Sequence, residues 1–386
     1  MKAADWTIQT FLVLSAALVL APVGAQAATH KVYEGESIQA AIDAAAAGDK
    51  IMVYPGTYQE PHVTGPGLHI TKPLKLQAKV KPGEVVRLLA RPGQTDGVLA
   101  EGADENNPID GFGIKGFLIE GFPKNGIHLR YVNNFKIERN ESKNNLENGI
   151  FPTLSANGQV KRNLSYGSED SALWVEASTD VRVLQNELHS SPTGLEVTVS
   201  HNVEIKDNNI YNNTTGVGLY HPSAASLPPL AEMGNWVITK NWIHDNNFPN
   251  NAPPGSMSAS LPPGGGILIL GTDYATIENN IIENNDFYGV SIIDYCVAVG
   301  GSAFDCTSNP PDVEPYPKGN VVQKNTLTDN GTNPGVHDLA PYAADLIYIQ
   351  FETGHSNCFG KNEDEDGGAI TKSYPFLQPN VQSKCG

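Results

Sequence analysis

The chain repeats itself. Seven times an aliphatic residue is followed three positions later by asparagine: Ile137/Asn140, Val160/Asn163, Val183/Asn186, Ile205/Asn208, Ile238/Asn241, Ile277/Asn280 and Val322/Asn325. Another aliphatic stands two residues after most of these asparagines: Leu188, Ile210, Ile243, Ile282 and Leu327. The first intervals between asparagines are 23, 23 and 22 residues, and later ones stretch to 33, 39 and 45. A second column keeps step, a small residue and then an apolar one: Gly126-Ile127, Gly149-Ile150, Ser171-Ala172, Gly194-Leu195, Gly216-Val217, Gly266-Ile267 and Gly289-Val290. Two columns in phase are the signature of a solenoid.

The period fixes the geometry. At roughly 3.3 Å per residue, such a repeat makes one coil of three short strands with turns between them. Coils stack about 4.8 Å apart as parallel strands, with alternate side chains pointing inward. The expected fold is all-β, a single-stranded right-handed parallel β-helix. Charged residues make up 17% and glycines number 38, a balance that suits tight turns rather than helices. Asparagine tolerates the left-handed turn conformation, and its amide can bond backbone and the neighbouring asparagine. The Asn column is therefore read as structural. Triplets such as Asn163-Leu164-Ser165 are read as ladder residues rather than glycan sites.

The ends differ from the middle. Lys2, an apolar run from Phe11 to Ala21 and an Ala25-Gln26-Ala27 site read as a signal peptide over 1–27, with the β-helix domain over 28–386. That run is too short to span a bilayer comfortably, and no membrane span is expected after cleavage. Residues 28–58 are expected to form the N-terminal cap and first coil. Ser37 caps a short helix with Ile38, Ala41, Ile42 and Ala45 on one face, and Ile51 to Tyr54 is the first strand. Residues 355–386 are expected to be an irregular C-terminal cap. Four cysteines in an exported chain favour disulfides, and the preferred pairing is Cys296–Cys306 with Cys358–Cys385. Their spacing matches no zinc pattern, and no metal ligands are assigned. The formal net charge is −17, and it survives loss of Lys2 and Asp5. Such a surface repels nucleic acid, and repels a polyanionic sugar unless a basic groove or a cation intervenes.

The 37–58 segment and the repeats together resemble the pectate-lyase-like superfamily of right-handed β-helices. The stretch from about 112 to 350 is similar to an exported bacterial group of β-helix repeat proteins. That group carries no assigned reaction and is often encoded beside a cytochrome-like exported protein. The resemblance implies a fold, and a fold does not specify a reaction.

Three insertions break the repeat, at 222–234, 246–264 and 295–318. All three flank the sheet built from the Gly-aliphatic column, so a walled groove is expected there. Counting alternation from each glycine, His128, Arg130, Glu196 and Tyr220 point outward, and Glu176, His221 and Asp294 stand at strand ends. His221, Tyr220, Glu196 and Glu176 are the candidate catalytic residues, and His128, Arg130 and Asp294 the candidate substrate contacts. His221 suits proton transfer near neutral pH, or alternatively bonds a turn carbonyl ahead of Pro222. Glu176 and Glu196 come from adjacent coils. An offset of three positions puts their Cα atoms about 11 Å apart, within reach of an inverting carboxylate pair. Solvated surface carboxylates are the ordinary alternative.

Arg139, Lys161, Arg162, Arg182, Lys206 and Lys240 form a basic band around the Asn column, interleaved with Glu138, Glu204 and Asp207. Polyuronate lyases of the superfamily use basic residues, often with calcium, against a uronate carboxylate. The run Glu363-Asp364-Glu365-Asp366 could hold calcium or be a solvated loop. The leading functional expectation is a lyase or epimerase on an acidic, uronate-containing polysaccharide. The alternative is a non-catalytic envelope protein with a glycan or cytochrome-like partner. A metal-maturation role is disfavoured by only four methionines.

Overall fold

The computed structural model describes residues 27–222, 226–228, 230, 232–296, 314–350, 356–375 and 385. The leader expected over 1–27 lies outside them except for Ala27. The described chain winds into a parallel β-helix of three sheets, with 14, 10 and 11 strands. Every strand pair is parallel, and each strand pairs with its counterpart one coil away. Ile137, Val160, Val183, Ile205, Ile238, Ile277 and Val322 align in the first sheet and are fully buried. One continuous aliphatic core fills the bore.

The asparagines do what a repeated polar residue in a buried turn must do, which is to satisfy one another. Asn186 Nδ2 donates to Asn208 Oδ1 at 3.0 Å and to the Val160 carbonyl at 3.0 Å. Asn208 repeats this with Asn241 and Val183, each at 2.9 Å. The residue before each ladder asparagine carries a positive φ, as at Arg162, Asp207 and Lys240. Asn163 and Ser165 are both buried within the turn and strand. A second ladder was not foreseen. Five residues beyond the first column, Asn213, Asn246, Asn285 and Asn330 bond in series and end on Asp345.

At the N-terminal end, Ser37 caps the helix Ile38–Ala44 through Ala40 N at 3.0 Å. Buried Glu60 reinforces that cap by accepting from Ser37 Oγ and Ile38 N. The strand expected to come first is second in its sheet: Thr29–Val32 precedes it and pairs with Lys50–Val53. At the other end, Cys358 is bonded to Cys385 as expected. Cys296 is also disulfide-bonded, and its expected partner Cys306 lies outside the described residues.

Candidate functional site

The Gly-aliphatic column forms the third sheet, and the insertions do border it. Its strands Thr215–Tyr220, Gly265–Leu270 and Tyr288–Ile293 are buried along their whole length. Such strands lie between two apolar layers. One layer is the bore. The other is external: Tyr220, Leu268, Leu270, Tyr288, Ile293 and Ile347 pack beneath Leu261 of the second insertion. A further segment, 331–343, adds Leu339 and closes the same face. That segment lies outside the aliphatic–asparagine repeats. The available signal was the unbroken run Ile267-Leu268-Ile269-Leu270, which a sheet with one wet face would not carry.

Under this cover lies a cavity of about 120 Å³ with an open mouth. Apolar side chains dominate its lining, with the hydroxyls of Tyr220, Tyr288, Tyr342, Ser260 and Ser291 among them. Tyr220 lies flat across Gly218, whose missing side chain makes the room: a Cβ there would meet the ring at 2.2 Å. Tyr220 Oη reaches Thr193 Oγ1 at 3.3 Å. Burial, reinforced by the charge of Glu196, raises the Tyr220 phenol well above its ordinary range.

Strand register corrects the carboxylate geometry. Glu196 pairs with Trp174, and Glu176 with Thr198, so the two glutamates are offset by two positions. The small residue of that coil is Ala172, not Ser171, because Ser171 pairs with Thr193. Neither carboxylate is solvated: Glu176 is 0% and Glu196 4% exposed. Glu196 Oε2 accepts from Ser171 Oγ at 2.7 Å. Its carboxyl is pushed well up, first by burial and then by the charge of Asp170. Glu176 reaches over the first insertion and accepts from Ser226 N at 2.6 Å and Leu227 N at 3.1 Å. Burial raises its carboxyl too, against those hydrogen bonds. Asp170, which the sequence reading missed, accepts from Ser258 Oγ of the second insertion and is likewise raised by burial. Two acids of the sheet thus hold down two loops.

His221 ends the strand Thr215–Tyr220 and is 0% exposed. Its ring stacks on Tyr295 at 4.3 Å, and Nε2 lies 3.1 Å from the Glu314 carbonyl oxygen. That carbonyl belongs to the third insertion. Asp294 is fully buried just beyond the strand Tyr288–Ile293, where its N–H donates to the Ile349 carbonyl at 3.1 Å. His128 and Arg130 sit together on one earlier coil of the same sheet, away from the cavity lining. His128 stacks on Phe151 at 5.1 Å and approaches Asp96 at 3.4 Å. Arg130 pairs with Glu101 at 3.3 Å. The structure therefore spreads the seven nominated residues along the sheet, and the cavity lining takes in Tyr220 from among them.

Among the described residues, no group of three or more His, Cys, Asp or Glu side chains is placed to share a metal ion. The acidic run closes on itself, with Asp364 Oδ1 accepting from Gly368 N at 2.6 Å. No helix among the described residues is long and apolar enough to cross a membrane.

Comparison with known proteins agrees with this architecture. Residues 92–261 match the family model described as "Periplasmic copper-binding protein (NosD)". That description and the Cys358–Cys385 disulfide agree with an exported chain. No curated protein sequence matches. Among solved structures, the A-module of Azotobacter vinelandii mannuronan C-5 epimerase AlgE4 is similar, with a TM-score of 0.58 at 14% identity, covering 86% of this chain and 96% of that one. The AlgE6 A-module of the same organism gives 0.55 at 15%, covering 85% and 90%. The catalytic unit of a GH87 α-1,3-glucanase from Streptomyces thermodiastaticus gives 0.53 at 18%, covering 92% and 70%. At these identities the likeness is one of fold.

Proposed function

We propose that this chain is an exported binding protein that takes an apolar or aromatic group into the covered face of its third sheet, without transforming it. One observation carries the reading. The side chains best suited to acid–base work are engaged in holding the cover: Glu176 to Ser226 and His221 beside the Glu314 carbonyl. What they leave is a small apolar cavity with a few hydroxyls at its wall. The group would belong to an envelope partner, whether a protein or a substituted glycan.

The glycan lyase or epimerase reading rests on the fold shared with the mannuronan epimerase modules. Proton abstraction beside a uronate needs a solvent-reached base and a neutralising cation. The apolar cavity offers neither. Copper, the metal in the NosD description, is also poorly matched. The three described cysteines are in disulfides, and among the described residues no three His, Cys, Asp or Glu side chains are placed to share a metal ion.

The test pairs two assays on the mature protein. A neutral apolar fluorophore, N-phenyl-1-naphthylamine, is expected to bind saturably to wild type and at least tenfold more weakly to Leu268→Trp, which fills the cavity. A polyuronate panel with and without calcium, read by proton NMR, is expected to stay unchanged. New alkene or epimer signals, or absent fluorophore binding, would overturn the reading.

A further inference from the structure

A separate feature lies on the first sheet. The segment Gly111-Phe112-Gly113-Ile114-Lys115-Gly116 turns Phe112 and Ile114 into the bore, where both are 1% exposed. The outward positions are thus Gly111, Gly113 and Lys115, followed by Gly116 in the turn. A Cβ on Gly111 would meet nothing within 4 Å, and one on Gly113 nothing nearer than 3.8 Å. One coil is nearly bare between two that are not. Gly113 pairs with Lys75 on one side and Lys136 on the other. The result is a trench one coil wide, and beyond Lys115 a second hollow begins at Gly116, where the turns of the next two coils carry Arg139 and Arg162. Its walls stand two coil steps apart, about 9.6 Å, and it runs about 16 Å from Gly111 to Gly116.

The trench is basic on a molecule of formal charge −17. Lys75, Lys115 and Lys136 line one end, and Arg139 and Arg162 the other. Two carboxylates intervene: Glu138 lies 3.9 Å from Lys115, and Glu141 accepts from Tyr166 Oη at 2.9 Å. Lys75, Lys136 and Arg139 have no carboxylate within ion-pair distance among the described residues. Five cations against two carboxylates leave a concave site with a net positive charge, which concentrates anions.

We propose that this trench binds an oligophosphate, a short linear chain of phosphate groups. Its width admits one chain and excludes a duplex or a membrane face. Three lysines on flexible stems act as mobile point charges, and the two guanidinium forks match phosphate oxygens bidentately, so both kinds of cation suit densely charged tetrahedral anions. The site is remote from the third-sheet cavity and does not depend on the function proposed for it.

The probe is inorganic tripolyphosphate, titrated into the mature protein by calorimetry at low salt. Binding is expected to weaken at least tenfold in Lys136→Glu and in Gly113→Leu, and to weaken as sodium chloride is raised. Gly113 has an ordinary extended backbone and open space around it, so the leucine fills the trench without strain. Lys240→Glu, on a later turn, is expected to bind as wild type does. No heat with wild type, equal binding by both trench variants, or equal binding of polygalacturonate would overturn the proposal.

Discussion

Glu176 and Ser226 are joined three ways: the carboxylate accepts from the serine N–H at 2.6 Å and from its hydroxyl at 2.8 and 2.7 Å. Hydrogen bonds to a charged acceptor contribute about 1.5–3 kcal/mol each at most, and less when they compete with burial. Glu176→Ala is therefore expected to cost about 1–3 kcal/mol and to release the first insertion. Denaturant unfolding would give the cost. Limited proteolysis would show whether cleavage between 222 and 234 accelerates; unchanged cleavage would mean the clamp does not hold the loop.

The buried acids of the third sheet make a prediction about pH. Burial raises the Glu196 carboxyl well above its ordinary value of 4.5, so the folded state binds that proton more tightly than the unfolded chain does. Its contribution is favourable at low pH and is lost as pH rises through the raised value. Glu196→Gln stays neutral and can still accept from Ser171. At pH 8 the variant is expected to melt above wild type, and the gap should close as pH falls toward 4.5. Asp96 works in the opposite sense. Burial raises its carboxyl, but hydrogen bonds from His128 and Asn125 outweigh it and hold the group below its ordinary range. Comparing the two proteins at each pH cancels that background.

Asn208→Ala should be destabilising by about 1–3 kcal/mol, because Asn186 and the Val183 carbonyl both lose a partner in a dry turn. Asn213→Ala tests the second ladder and should cost a similar amount, since Asn213 Nδ2 donates to Asn246 Oδ1 at 3.0 Å. A melting temperature unchanged from wild type in either would remove that ladder from the account.

Gly218→Ala should leave the solenoid folded and spoil the cavity. The new methyl collides with the Tyr220 ring, which must swing away from Thr193. Overpacking of this kind costs about 1–3 kcal/mol. Fluorophore binding should fall with it; full binding would mean that Tyr220 does not shape the pocket.

The coil, the ladder and the N-terminal cap could be read from the chain because each answers a local need that recurs. A polar residue in a buried turn needs a partner, and Asn140, Asn163 and Asn186 supply one for each other at almost equal spacing. The outward face of the third sheet was less legible. Alternation marks Tyr220 and Leu268 as outward, and nothing local says that Leu261 and Leu339 come back to cover them. The Glu176–Glu196 offset failed on a single residue. The interval shortens from 23 to 22 at that coil, and Ser171 and Ala172 are both small, so the column could be aligned on either.

The second ladder also has a direction. Every amide, from Asn213 through Asn330, gives one hydrogen to the next side chain toward the C-terminus and another to a carbonyl of the preceding coil, and the side-chain series stops on a carboxylate, Asp345. A coil could be inserted or deleted within the series without changing its grammar, because each asparagine oxygen accepts from the backbone and the side-chain amide of the one before, and each asparagine offers the same pair to the one after. The last position is different. Its side chain accepts from Asn330 and hands nothing on, so Asp345 is the full stop of the sentence that the repeats spell.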